Sequence, residues 1–281
     1  MSEKTIRIRG VDINVEITGE ENLPTVVLLH GFTGSIASWR EVVKLFKGKY
    51  RTVAVDLTGH GKSSSPDDVN RYSMKQQLAD LEELFTALSL DEIILIGYSM
   101  GGRIALAYTI NYPNRISSLI LESSSPGLKT EIERIERKAA DKRLAERIMN
   151  DGLPSFVDFW ENIQLFVTQK NLHEEKQLEI RNERLGQSGK GLANSLLGNG
   201  TGSQNSNWEH LETIKLPVLL ITGELDTKFV NISREMHCKF HNVRHETIEH
   251  AGHAIHVEKP GTFATMVVQH ISGLKNRGGS L

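Results

Sequence analysis

Five apolar runs punctuate the chain with few polar positions alternating inside them. They are Thr25–His30 (TVVLLH), Thr52–Asp56 (TVAVD), Glu92–Tyr98 (EIILIGY), Ser118–Glu122 (SLILE) and Pro217–Gly223 (PVLLITG). Continuous, β-branched-rich runs of this length suit strands covered on both faces, as in a parallel sheet. An earlier pair, Thr5–Arg9 and Asp12–Thr18, alternates around Gly10 and predicts an antiparallel hairpin at the sheet edge. A last strand-like segment, Val243–Glu249, precedes a C-terminal helix. Between the runs the period changes. In Ser73–Leu90 the residues Leu78, Leu81, Leu84, Phe85 and Leu88 fall on one helical stripe, and Ser73 with Gln76 reads as a capping box. Strands alternating with helices predict βαβ units and a doubly wound α/β fold.

The alternation stops between Pro126 and Trp208. Lys129–Arg147 carries seven basic and five acidic residues on a helical pattern, and Gly186–Asn207 then turns Gly/Ser/Asn-rich, with six glycines. No strand signal appears there. The expected organisation is a core of residues 1–125 and 209–281, with a helical cap, 126–208, inserted between two strands and ending in a loop-rich segment. Most of the cap's charges read as an ordinary solvated helix face.

Composition narrows the function classes. The 281 residues hold 33 Lys plus Arg against 35 Asp plus Glu, a net charge of −2, so the basic excess of a nucleic-acid binder is missing. One cysteine, Cys238, rules out an intramolecular disulfide framework and fits a reducing compartment. Residues 1–10 are charged and lack the apolar core of a signal peptide, and no apolar run approaches the roughly 20 residues that span a bilayer. A cytoplasmic globular protein with no membrane, nucleic-acid or obligate protein partner is expected.

Gly97-Tyr98-Ser99-Met100-Gly101 follows the strand EIILIGY and precedes the helix-like RIALAYTI. This is the G-x-S-x-G pattern of a nucleophile elbow. The glycines admit a turn too tight for side chains, which lifts the serine to a helix N-terminus where negative charge is stabilised. A serine needs a base, and the base an orienting acid. Among eleven histidines, His253 lies between the last strand and the final helix, on the rim that carries Ser99. Asp226 follows PVLLITG onto the same rim, and the order Ser, Asp, His is that of α/β hydrolases. Glu122 and Glu224 are the rival acids, His250 and His256 the rival bases. The backbone amides of Phe32, after His30-Gly31, and of Met100 are placed to donate to a developing oxyanion.

Other features carry less. Gly59-His60-Gly61-Lys62-Ser63 ends like a P-loop, but Asp56 stands where the first glycine belongs. His250, His253 and His256, and Cys238 between His237 and His241, lack metal-ligand spacing, so no metal is expected, and Cys238 reads as a packing residue. Arg103 is the oddity. It lies one helical turn after Ser99, where a fixed cation at a positive helix end needs an anion. That anion is either an internal carboxylate such as Glu122 or an anionic substrate.

With these residues in place, the chain resembles the α/β-hydrolase superfamily over roughly residues 25–274. Within it, the sequence resembles the 2-succinyl-6-hydroxy-2,4-cyclohexadiene-1-carboxylate synthases of menaquinone biosynthesis. The resemblance lies in HGFTG (30–34), GYSMGGR (97–103), SPGLKTEIERIERKAADKRLA (125–145), GTGSQ (200–204), GELDTKF (223–229) and AGHAIH (251–256). It implies an α/β-hydrolase fold, a lyase that eliminates pyruvate from a polyanionic small molecule, a Ser99–Asp226–His253 triad, and no cofactor. It further implies that Tyr98, Arg103, Arg137, Trp160 and Arg184 line the substrate pocket. A carboxylesterase or C–C bond hydrolase using Ser99 covalently stays open beside it, as does a ligand-binding module without turnover.

Overall fold

The computed structural model describes residues 2–275. The outermost positions of the expected core, residue 1 and residues 276–281, lie outside them. The strands are β1 (Ser2–Ile8), β2 (Val11–Thr18), β3 (Thr25–Leu29), β4 (Arg51–Val55), β5 (Ile93–Tyr98), β6 (Ile116–Glu122), β7 (Val218–Gly223) and β8 (Val243–Ile248). They form one sheet in the order β1-β2-β4-β3-β5-β6-β7-β8. The hairpin pairs β1 with β2, and β2 with β4, antiparallel; every later pairing is parallel. This is the α/β-hydrolase architecture.

The helices are α1 (Arg40–Phe46), α2 (Met74–Ala87), α3 (Met100–Asn111), α4 (Glu131–Trp160), α5 (Glu174–Leu185), α6 (Gly189–Asn199), α7 (Thr227–His237), α8 (Ile255–Glu258) and α9 (Pro260–Lys275). Alternate residues of each central strand feed opposite layers. Val27 and Leu29 of β3 join Leu95, Leu119 and Leu220 beneath α2 and α3, while Val26 and Leu28 join Ile94, Ile96 and Ile221 beneath α1 and α9. Burial on both faces is why these runs show no polar alternation.

Between β6 and β7 the described residues are helical or irregular. Thr130 opens α4 with a capping box, its hydroxyl accepting from the Glu133 amide while Glu133 accepts from the Thr130 amide. The helix kinks at Gly152, φ 81°, with Pro154 just beyond. Ser73, by contrast, makes no side-chain cap for α2, because a 3₁₀ turn, Val69–Tyr72, runs directly into that helix. The reading of Gly186–Asn207 as loop is corrected over Gly189–Asn199, which forms α6, capped by Ser188 Oγ accepting from the Gly191 amide at 3.0 Å. Its glycines are contact points. A Cβ on Gly191 would strike the Gly59 carbonyl, and one on Gly198 would lie 2.6 Å from Val69 O. The opposite face, Leu192, Ala193 and Leu196, packs on Ala145, Ile148 and Phe156 of α4. Among the described residues no helix is long and apolar enough to cross a membrane.

Candidate active site

Parallel strands deliver their C-terminal ends, and the loops that follow them, to one rim of the sheet. At the end of β5 the chain turns through Ser99 at φ 49°, ψ −106°. This left-handed conformation is strained for a residue with a Cβ, at about 1–3 kcal/mol. Its neighbours enforce it. A Cβ on Gly97 would lie 2.5 Å from Gly101 O, one on Gly101 would strike the Leu29 carbonyl, and one on Gly102 would lie 2.5 Å from Ser124 Cβ. The Ser99 amide donates to Glu122 O at 2.9 Å and Ser124 Oγ donates to Ser99 O at 3.1 Å, tying the turn to β6.

Ser99 Oγ is 2.9 Å from His253 Nε2, and His253 Nδ1 is 2.6 Å from Asp226 Oδ2. In this chain of contacts the imidazole donates from Nδ1 to the carboxylate and accepts the serine proton at Nε2. Asp226 also caps α7, accepting the Phe229 amide at 3.4 Å. The His253 ring is held by Phe229, Tyr98 and Phe166, at centroid distances of 4.7, 5.3 and 6.0 Å. Phe229 and Phe166 were not singled out in the sequence, and Tyr98 was expected only as a pocket wall.

The serine opens into a cavity of about 450 Å³ lined by Phe32, Tyr98, Met100, Arg103, Arg137, Trp160 and Lys228 among others. Phe32 and Met100, the residues expected to present amides to an oxyanion, sit together there. The Phe32 loop is set by His30, which accepts the Leu57 amide at Nε2 (3.0 Å) and so donates from Nδ1 to Gly31 O (2.8 Å). Burial holds its pKa below that of a free imidazole and so favours this neutral form. Trp160 makes a stacked pair with Phe156 at 5.4 Å and meets Phe32 edge-on at 5.5 Å.

Arg103 is buried, 7% exposed, and reaches only neutral acceptors: Nη1 donates to Gln204 Oε1 at 2.6 Å and Nη2 to Asn199 O at 2.8 Å. Burial, with the Arg137 guanidinium as the next cause, draws its pKa from 12.5 to about 10. Glu122 is not its partner. That carboxylate accepts the His256 amide and faces His256 Nδ1, both at 2.9 Å, and His256 stacks on Trp39 at 4.1 Å. The same pairing takes Glu122 and His256 out of the triad. Glu224, the other rival acid, accepts the amide of His250, the other rival base, at 3.0 Å. Arg137 lines the cavity with its Nε donating to Asp141 Oδ1 at 2.8 Å.

Arg184 stands beside the expected pocket, and its charge acts on Tyr98 in that pocket's wall. It lines a neighbouring cavity of about 240 Å³ with Gln169, Lys170 and Leu178, and Phe166 is a wall common to both cavities. Its guanidinium lies 4.8 Å over the Phe166 ring and donates to Gln169 Oε1 at 2.8 Å. The register of the preceding irregular segment turns Arg184 behind Phe166, which one-dimensional spacing does not reveal. Cys238 is also corrected: it is exposed at the end of α7 rather than packed. The P-loop-like turn is occupied by Asp56, which accepts the Lys62 and Ile36 amides and the Asn14 side-chain amide at 2.8–2.9 Å. Among the described residues no cluster of His, Cys, Asp and Glu is arranged to hold a metal ion.

Comparison with known proteins gives a consistent picture. The family described as alpha/beta hydrolase fold matches residues 24–260. A putative 2-succinyl-6-hydroxy-2,4-cyclohexadiene-1-carboxylate synthase of Bacillus subtilis (strain 168) is 45% identical over 265 residues, covering 94% of this chain and 96% of that protein. The solved structure of MenH from S. aureus superposes with a TM-score of 0.89 at 35% identity, covering 94% of this chain and 99% of the other. An enol-lactonase from Burkholderia xenovorans LB400, 20% identical with a TM-score of 0.83 and covering 96% of this chain and 100% of the other, shares the fold.

Proposed function

The chain belongs to the α/β-hydrolase fold family, and from that premise we propose that it is a carbon–oxygen lyase of menaquinone biosynthesis. The substrate is 2-succinyl-5-enolpyruvyl-6-hydroxy-3-cyclohexene-1-carboxylate and the products are pyruvate and 2-succinyl-6-hydroxy-2,4-cyclohexadiene-1-carboxylate. One observation carries the reading. A buried arginine, answered only by neutral acceptors, stands one helical turn from Ser99 and lines the same cavity. Burying a cation whose direct partners are neutral is costly. The Asp141 carboxylate acts on Arg103 only at longer range, and a substrate carboxylate supplies a direct counter-ion through charge-assisted hydrogen bonds. A neutral ester does not.

In this reading Asp226, His253 and Ser99 act as one base. Ser99 Oγ takes a proton from the substrate ring as its own proton passes to His253 Nε2, 2.9 Å away. The electron pair of the broken C–H bond, at the ring carbon that bears the succinyl group, forms a double bond to the next ring carbon. The existing ring double bond shifts one position along, and the C–O bond to the enolpyruvyl group breaks with its electrons on oxygen. The enolpyruvate that leaves takes up a proton and becomes pyruvate. Arg103 and Arg137 hold carboxylates, Tyr98 and Trp160 shape the walls, and the Phe32 and Met100 amides face developing negative charge. The segment between β6 and β7 covers the site and limits water. The reading calls for no cofactor or metal, for a cytoplasmic setting, and for no nucleic-acid, membrane or obligate protein partner.

The test mixes purified protein with the enolpyruvyl substrate and follows pyruvate and the diene chromophore, with mass spectrometry of the quenched enzyme. Product without added mass at Ser99 supports proton abstraction. A stoichiometric adduct on Ser99 makes the protein a covalent hydrolase, and binding without product makes it a ligand-binding module.

A further inference from the structure

The cavity's charges divide into those already paired within the protein and those that are not. Six Arg, Lys or Glu side chains line it: Arg103, Lys129, Glu133, Arg137, Lys228 and Glu235. Lys129 is ion-paired with Glu235 across the mouth, Arg137 pairs with Asp141, and Glu133 is engaged in the α4 capping box. Arg103 has neutral partners only. Lys228 has neither an ion pair nor a hydrogen bond among the described residues, and its Nζ lies 5.6 Å over the Phe229 ring. Phe229 lies 4.7 Å from the His253 ring. Lys228 thus holds a cation at the core-side rim of the cavity, beside the triad, on the first turn of α7. Arg184, whose charge was expected in this cavity, lines the adjacent one.

We infer that Lys228 is a specificity-determining residue that binds a further carboxylate of the substrate at the cavity mouth, beside those held by Arg103 and Arg137 deeper in. This rests on the polyanionic substrate class proposed above and goes further by naming the residue that selects for it. An incoming carboxylate displaces no internal partner from Lys228, whereas at Lys129 it competes with Glu235. Low-dielectric cavity walls strengthen the attraction relative to open water. A substrate with anionic groups at opposite ends of a six-membered ring then bridges the floor and the rim and lays the ring across Ser99. A rim charge acts through capture and salt dependence more than through the chemical step.

The experiment measures pyruvate release by wild type, Lys228→Ala, Lys228→Glu and Lys228→Arg at low and high salt. Lys228 is exposed, so these variants fold. The expected results are a KM raised about threefold to tenfold in Lys228→Ala and more than tenfold in Lys228→Glu, with kcat within twofold. Lys228→Arg recovers most of the loss, and added salt narrows the gap between wild type and Lys228→Glu. If wild type is active and Lys228→Glu keeps kcat/KM within twofold, the inference is overturned while the lyase reading stands. If wild type makes no pyruvate, the lyase reading falls, and calorimetry with benzene-1,3,5-tricarboxylate decides for Lys228. Binding that Lys228→Glu weakens more than tenfold sustains the inference; equal binding, or none to wild type, ends it.

Discussion

Replacing Arg103 by methionine separates what the arginine does for the substrate from what it does to the fold. A drop from 12.5 to about 10 corresponds to roughly 3 kcal/mol held against the charged form in the folded protein. Because the folded value lies below the unfolded one, this cost is fully present at neutral pH and fades only as the pH rises through about 10. Methionine removes it and fills similar volume, but leaves Gln204 Oε1 and Asn199 O without their donor. Each loss costs about 1–3 kcal/mol. The net effect on unfolding lies between about a 1 kcal/mol gain and a 3 kcal/mol loss, read by urea denaturation. Activity responds differently. Truncating one partner of a buried, charge-assisted pair costs about 2–5 kcal/mol. At about 1.4 kcal/mol per factor of ten, kcat/KM for the polyanionic substrate falls roughly thirtyfold to several thousandfold. Lysine at this position restores part of it, lacking the two-donor fork. The assay couples pyruvate release to a dehydrogenase, beside turnover of a neutral p-nitrophenyl ester. A folded Arg103→Met variant within threefold of wild type, or one that loses both substrates equally, refutes the reasoning.

Ser99→Ala, Asp226→Asn and His253→Ala should each lower turnover by orders of magnitude, and a double variant should lose little more than the worse single one, because the three act as a unit; multiplicative losses in steady-state kinetics would break that unit. Glu183, whose carboxylate accepts from Ser35 Oγ at 2.6 Å and is pushed up by burial, holds its proton more tightly folded than unfolded. Its contribution is therefore most favourable below the unfolded carboxylate range and declines as the pH rises through the folded value. Urea titrations across that window should show a stability difference between wild type and Glu183→Gln that grows in favour of the variant with pH, and a pH-independent difference contradicts it. Gly191→Ala drives a Cβ into Gly59 O and should cost about 1–3 kcal/mol of thermal stability; unchanged melting would mean α6 does not bear on that loop.

How far the sequence carries depends on whether a signal is local. The strands were legible because a residue such as Val27 and its neighbour Val26 serve opposite layers, which writes burial straight into composition. Ser99 was legible because its glycines encode a backbone geometry. Asp226 and His253 followed from strand ends sharing one rim. Helix α6 was not legible: small residues read as flexibility in one dimension, while in three they mark where Gly191 and Gly198 touch Gly59 and Val69. Side-chain partners were hidden as well. Glu122 is 134 positions from His256 and Gln204 is 101 from Arg103, and no periodicity links such residues. Arg184 needed the path of the irregular chain before it to show which side of Phe166 it occupies.

The long excursion between β6 and β7 leaves and rejoins the sheet at a neck. The Asn207 amide donates to Pro126 O at 2.8 Å, and Trp208 Nε1 donates to Gly127 O at 3.0 Å. The two strands it connects are already neighbours. Closing a flexible loop grows more unfavourable only with the logarithm of its length, about 0.6 kcal/mol per doubling, and here the two ends are clasped together outside the sheet. Length can therefore change in the excursion's exposed turns at little expense to the strands, whereas its helices are fastened over the site by Gln204 and Asn199 on Arg103, Glu183 on Ser35 and Gln187 on the Gly61 amide. The clasp sets where the excursion leaves the sheet, and these polar ties set how it sits over Ser99, so the surface that faces the ligand is adjusted by changing ties that begin on the rim itself.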